Sequence, residues 1–269
     1  MNHADPFIAA LILVLMGIVV YCVWRAKRGR KTYIRPIAGI SAMDEAIGRA
    51  TEMGRPILFV AGYTDIQAIE THNSMAVLAH VGRLAARMRT QLVALIPVPN
   101  VFPLAEATLR QAYLSEGAPE LFQPQEQVRF LSDNSVVFAA GVARWVEEEK
   151  PGCVIFFGAF DFTALLLSEP GARQRILQIA GDPSLFQMPF FVCTCDHTII
   201  GEEFYAAGAY VSPDPKMRNS LLGQDLVKLV FVAIIAVGLL LIHLLPVKPA
   251  VGKSQPRGTW FVELLRSYR

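Results

Sequence analysis

Four short polar clusters follow apolar runs in this chain and carry most of its chemically useful side chains. Gly62, Tyr63, Thr64 and Asp65 follow one run, and Ser132, Asp133 and Asn134 follow a second. Gly158, Ala159, Phe160 and Asp161 follow a third, and Asp196, His197 and Thr198 the last. If each run is a strand of one parallel sheet, Asp65, Asp133, Asp161 and Asp196 line its carboxyl edge, where open α/β sheets bind ligands. Acids gathered along one edge can hold a cation or shift each other's pKa. Asp, Ser and Thr at such positions also cap the helices that follow, and that is the stronger reading of each.

A second constellation is Cys193, Cys195 and His197, which alternate and would share one face of a strand, with Glu202 and Glu203 shortly after. A soft-metal or thiol site needs wider cysteine spacing and a second cluster, neither of which is present, so core packing is the better reading. His72 and His80 stand two helical turns apart and read as solvent or core histidines rather than a metal pair. No GxGxxG or GxxxxGK[ST] phosphate cradle, no GxSxG and no HExxH occurs, and no nucleophile has a base beside it. The expectation is therefore no catalytic residue, no metal and no cofactor, with Asp65, Asp133, Asp161 and Asp196 as the only candidate ligand-binding groups.

The elements that position these residues follow from hydrophobic period. Candidate strands are 33–38, 56–61, 91–98, 128–131, 153–157 and 190–195, several of them apolar throughout, as strands buried on both faces should be. Between them, Met43, Ala46, Ile47, Ala50 and Met53 mark an amphipathic helix with Ser41 as N-cap, Asp44 three residues on and Gly54 at its end. Further helices are read at 64–88, 104–114, 135–149, 162–168 and 199–210. The polar stretch Glu70 to Ser74 inside the helix at 64–88 predicts a break or a buried polar patch. Alternation of strand and helix gives an open, mainly parallel α/β sheet with helices on both faces, Rossmann-like in architecture.

Two apolar segments flank that unit. Residues 7–24 (FIAALILVLMGIVVYCVW) contain no charge and suffice to span a bilayer as a helix, and residues 226–247 suffice again. Arg25, Lys27, Arg28, Arg30 and Lys31 follow the first segment, while only His3 and Asp5 precede it, so the positive-inside bias places the middle of the chain in the cytoplasm. The segments divide as 1–6 external, 7–24 transmembrane, 25–32 basic and juxtamembrane, 33–211 cytoplasmic α/β domain, 212–225 linker, 226–247 transmembrane and 248–269 external. The external tail carries Lys248, Lys253, Arg257, Arg266 and Arg269 against Glu263, the opposite of that bias, but the first span usually sets topology. If helical, the tail puts Trp260, Phe261, Leu264, Leu265 and Tyr268 on one face, an interfacial stripe. Trp24, the basic run after it and Trp260, Phe261 and Tyr268 are thus the expected membrane-interface residues.

Composition fits this division: 53% of residues are hydrophobic, and a net charge of +2 is too small to imply nucleic acid as a partner. Four cysteines, three of them in the presumed cytoplasmic domain, read as reduced thiols. The stretches DEAIGRATEMGRPILFVAG, EKPGCVIFFGAF and PFFVCTCDHTIIGEEFYAAGAYVSPDP, leading through LLGQD, resemble an uncharacterised family of bacterial membrane proteins built on a domain of unknown function. The resemblance implies a two-span protein of the bacterial inner membrane with a cytoplasmic α/β domain, and it carries over no activity or catalytic residue. The functional expectation is an anchored scaffold or assembly subunit whose partners are the bilayer and either further copies of itself or a larger membrane complex. The alternative is a small-ligand-binding or hydrolytic domain that uses the acidic strand ends.

Overall fold

The computed structural model describes residues 37–212 and 223–236, together with isolated helical positions between 16 and 24. The chain divides into two units, Gly29–Leu221, and Met1–Arg28 with Leu222–Arg269. In the second of these, 223–236 is helical and exposes Leu229, Val232 and Ile235. Among the described residues no helix is long and apolar enough to cross a membrane. The span read at 7–24 falls largely outside the described residues, that at 226–247 is described only to 236, and the segments 25–32 and 248–269 fall wholly outside them.

The first unit is built on three apolar runs that have no polar face to offer water. ILFVA, LVALI and CVIFF are buried at every position and form β1 (Ile57–Ala61), β2 (Leu92–Ile96) and β4 (Cys153–Phe157). β3 (Val128–Phe130), β5 (Leu177–Asp182) and β6 (His197–Ile200) complete a six-stranded sheet of order β3-β2-β1-β4-β5-β6. Every pairing is parallel, with Ile57 in register with Leu92 on one side and Cys153 on the other. This is the doubly wound order whose direction of winding reverses between β1 and β4.

Because side chains alternate along a strand, each run feeds two cores. Ile57, Phe59 and Ala61 pack under α1 (Ala38–Glu52), α2 (Ile69–Met88), α3 (Phe102–Ser115) and α8 (Glu202–Val211). Leu58 and Val60 pack on the other face, under α5 (Ser135–Glu149), α6 (Ala164–Arg173) and α7 (Met188–Thr194). A short α4 (Pro124–Gln127) precedes β3.

Several elements differ from the sequence reading. There is no strand at 37–38: Ile37 is the N-cap of α1, without a side-chain bond, and residues 33–36 lie outside the described set. Ser41 is therefore inside the helix and caps nothing, while Asp44 faces His80 across 2.8 Å. Gly54 ends α1 with a positive φ of 63°, as expected of a residue just past a helix. The helix read from residue 64 starts at Ile69, and its polar stretch is a buried patch in which Thr71, Asn73 and Ser74 are all covered. α6 runs on through Pro170 to Arg173, and α8 starts at Glu202 rather than Ile199.

The largest correction concerns 190–195, which is helix α7 and not a strand. A short apolar run fits either element, and Pro189 near the start of the run suits a first helical turn, where its missing N–H costs nothing. The strand lies earlier, at β5, and His197 to Ile200 form β6 where a helix start was expected.

α5 has the bounds read from the sequence. Asn134 caps it, its side-chain oxygen accepting the N–H groups of Val136 and Val137 at 3.1 Å each. Asn134→Ala should lower the unfolding free energy by about 1 kcal/mol, read as a shifted urea midpoint with an unchanged slope.

Candidate functional site at the carboxyl edge of the sheet

Three loops leave the carboxyl edge with a shared local pattern, a glycine and an acid at or just past the strand end. They are β1–α2 (AGYTD), β4–α6 (GAFDF) and β5–α7 (GDPSLF). At the point of reversal the first two close on each other. Tyr63 N–H donates to the Ala159 carbonyl at 2.9 Å, and Gly158 N–H donates to the Gly181 carbonyl at 3.1 Å. A Cβ built on Gly62 would stand 2.5 Å from Ala159 N, so this crossing requires glycine. β1 and β4 thus stay in main-chain contact just past their ends, at the switch point where this architecture usually receives a ligand.

Tyr63 then reaches across to the helices of the second face. Its hydroxyl contacts Thr163 Oγ1 at 2.9 Å and donates to the Ser135 carbonyl at 3.1 Å, tying the starts of α5 and α6 together. Its ring meets Phe138 and Phe160 edge-on. Burial, with a smaller contribution from the charge of Asp161, pushes the phenol up to about 12, so it stays a neutral donor.

The third loop is fixed by Asp182, the last residue of β5 and fully buried. Its two oxygens accept Phe160 N–H at 3.1 Å and Ser184 N–H at 2.6 Å. Burial raises its carboxyl to about 6, against the opposing pull of these two bonds. On the other face Thr71 Oγ1 donates to the carbonyls of Thr64 and Asp65, Ser74 Oγ to the Phe157 carbonyl, and Tyr205 OH to Glu70 at 2.9 Å. The buried polar patch of α2 thus serves the main chain of the carboxyl edge.

Of the sequence-predicted acids, Asp65, Asp133 and Asp161 do stand at this edge and are exposed. Asp65 accepts its neighbour Ile66 N–H. Asp196 is at the opposite edge: it precedes β6, and its side chain accepts Gln178 N–H at 2.8 Å at the start of β5. Cys193, Cys195 and His197 do not share a strand, since Cys193 is in α7, Cys195 caps it and His197 opens β6. Burial raises the thiols of Cys153 and Cys195 to about 12, which removes them as nucleophiles near neutral pH. Among the described residues no three His, Cys, Asp or Glu side chains gather closely enough for a metal ion.

Asp182 is the residue that sequence reasoning missed, because β5 was missed. The signal was present in IAGDPS, which repeats the pattern of FVAGYTD and FFGAFD.

Above this polar framework the loops expose apolar side chains. Phe162 is 70% exposed, Leu185 71% and Phe186 87%. Val136 and Val137 in the first turn of α5, and Leu165 and Leu166 in the first turn of α6, are exposed beside them. α6 packs against both α5 and α7, so these residues crown three neighbouring helices at one edge. The hydrogen bonds of Tyr63 and Asp182 hold the loops that carry them.

A family model described as "Domain of unknown function (DUF6754)" matches residues 2–250, and the chain belongs to this family. No curated protein and no solved structure matches the chain.

Proposed function

We propose that this member of the family is a membrane-tethered assembly module, in which the α/β unit presents a fixed docking ridge and the apolar segments hold it at a bilayer. The observation that carries the reading is the exposed ridge at Val136, Val137, Phe162, Leu166, Leu185 and Phe186. Isolated exposed apolar residues are ordinary, but six on the loops and first turns of three neighbouring helices, above a buried hydrogen-bond network, have the form of an interaction surface.

Tethering rests on the uncharged stretch 7–24, the apolar stretch 226–247 and the exposure of Leu229, Val232 and Ile235 on one helix. The basic run from Arg25 to Lys31 favours the bacterial inner membrane with the α/β unit cytoplasmic and both termini outside. Homo-oligomers and mixed membrane complexes both fit. The small-ligand alternative is less well supported, because Asp182, the one fully buried acid among the described residues at this edge, already spends both oxygens on loop amides.

Purification of the full chain in mild detergent, with mass measured by light scattering, should give an assembly larger than the 29.6 kDa monomer. A strict monomer that also yields no crosslinked partner in native membranes would overturn the reading.

A further inference from the structure

Resting on the assembly reading, we infer that the occupant of the ridge is a cationic amphipathic helix from a partner polypeptide. Size is the first argument. Six apolar residues at one edge of the sheet, 47% to 87% exposed, are more than the singly scattered apolar residues of an ordinary surface.

Charge selects the occupant. The loops that lead into the ridge helices carry Asp133 and Asp161, with Asp65 in the adjoining β1–α2 loop, while 131–143, 158–172 and 182–196 contain neither Lys nor Arg. Among the described residues of this unit the ion pairs that involve Arg lie elsewhere, at Arg49–Glu45, Arg87–Glu116, Arg110–Glu106 and Arg144–Glu148. A second copy seated ridge to ridge would bring Asp133 and Asp161 of one copy against those of the other, a like-charge contact. An anionic bilayer would meet the same repulsion. A helix with leucine-like residues on one stripe and Lys or Arg on its flanks satisfies both the apolar ridge and its acidic margin, as in helix-in-groove recognition.

The test places a photo-crosslinking benzoylphenylalanine at Phe186 in the full chain, held in nanodiscs of neutral lipid. The probe is a model helix of leucine and lysine at helical spacing, with a leucine and glutamate helix as its counterpart. A chain carrying the crosslinker at Met53, also exposed, reports non-specific contact. The lysine helix should crosslink at position 186 at least about tenfold more than at 53, and the glutamate helix should not. Replacing Asp133 and Asp161 by Asn should reduce the yield several-fold while leaving the fold intact.

Equal labelling of both helices, or of both positions, overturns the inference. A crosslink between two copies also overturns it but leaves the assembly reading standing. A lipid adduct alone, from a protein that is monomeric by light scattering, removes both.

Discussion

Gly158→Ala collapses the stability of the α/β unit, lowering its unfolding free energy by about 3–5 kcal/mol. Gly158 has φ 153°, a backbone conformation that side-chain-bearing residues rarely adopt. Space is the second obstacle. A Cβ there would lie 2.6 Å from Gly62 Cα, and its neighbours are backbone atoms of β1 that cannot rotate away. The strands on either side are fully buried and in register from Ile57 to Ala61, so the clash cannot be relieved by sliding one along the other.

Gly48→Ala supplies the contrast. Gly48 lies inside α1 with no atom within 4 Å of its added Cβ, and the change should stabilise by about 0.5–1 kcal/mol through helix propensity. Urea midpoints of the two variants should therefore move in opposite directions. A Gly158→Ala protein with a midpoint near that of the parent would show that the contact between β1 and β4 is not fixed as described.

The second large effect is a pH dependence that belongs to Asp182. Its folded pKa is about 6, against the ordinary aspartate value of 3.8. Between these values the folded chain binds the proton more tightly than the unfolded chain does. Stability from this group is therefore greatest below about pH 4, falls as pH rises through about 6, and is level above that. The span of the change is up to about 3 kcal/mol.

Asp182→Asn removes the titration, so the stability difference between variant and parent should move in favour of the variant by that amount between pH 4 and pH 7. Taking the difference cancels the other carboxyl groups, which titrate alike in both proteins. A difference that stays flat across this range would place Asp182 in contact with water.

Asp182→Ala tests the same group as a loop tie. Phe160 and Ser184 lose their acceptor, and the exchange of these two amides should speed up roughly tenfold while that of Phe59 in the sheet changes little. The prediction also bears on the ridge, because these two amides belong to the loops that raise Phe162, Leu185 and Phe186.

Much of the framework was legible from residue order. The runs at β1, β2 and β4 are apolar from end to end and rich in β-branched and aromatic residues between turn signals, the pattern of strands buried on both faces. α5 was legible to the residue because Asn134 caps it by a strictly local bond. The acids after β1 and β4 were placed at the correct edge for the same reason, since a residue that follows a well-marked strand inherits its end.

The carboxyl edge itself was only half visible. Asp196 was put there because 190–195 reads as a strand, and the error moved one acid across the whole sheet while concealing Asp182. The ridge had no sequence signature at all, since Leu185, Phe186 and Phe162 look like any core residue when read in order.

By itself, then, the sequence determined a parallel α/β unit with its best-buried strands in place, because burial on both faces leaves a local mark on composition. Only tertiary structure decided which of two neighbouring segments is the fifth strand. β5 contains Gln178 and Asp182, polar groups that no lone strand would bury. They become tolerable when Ser168 and Thr194 accept from Gln178, and when Phe160 and Ser184 donate to Asp182. Ser184 is local to Asp182, but Phe160, Ser168 and Thr194 come from elsewhere in the chain, and their arrival is a fact of packing that residue order does not contain.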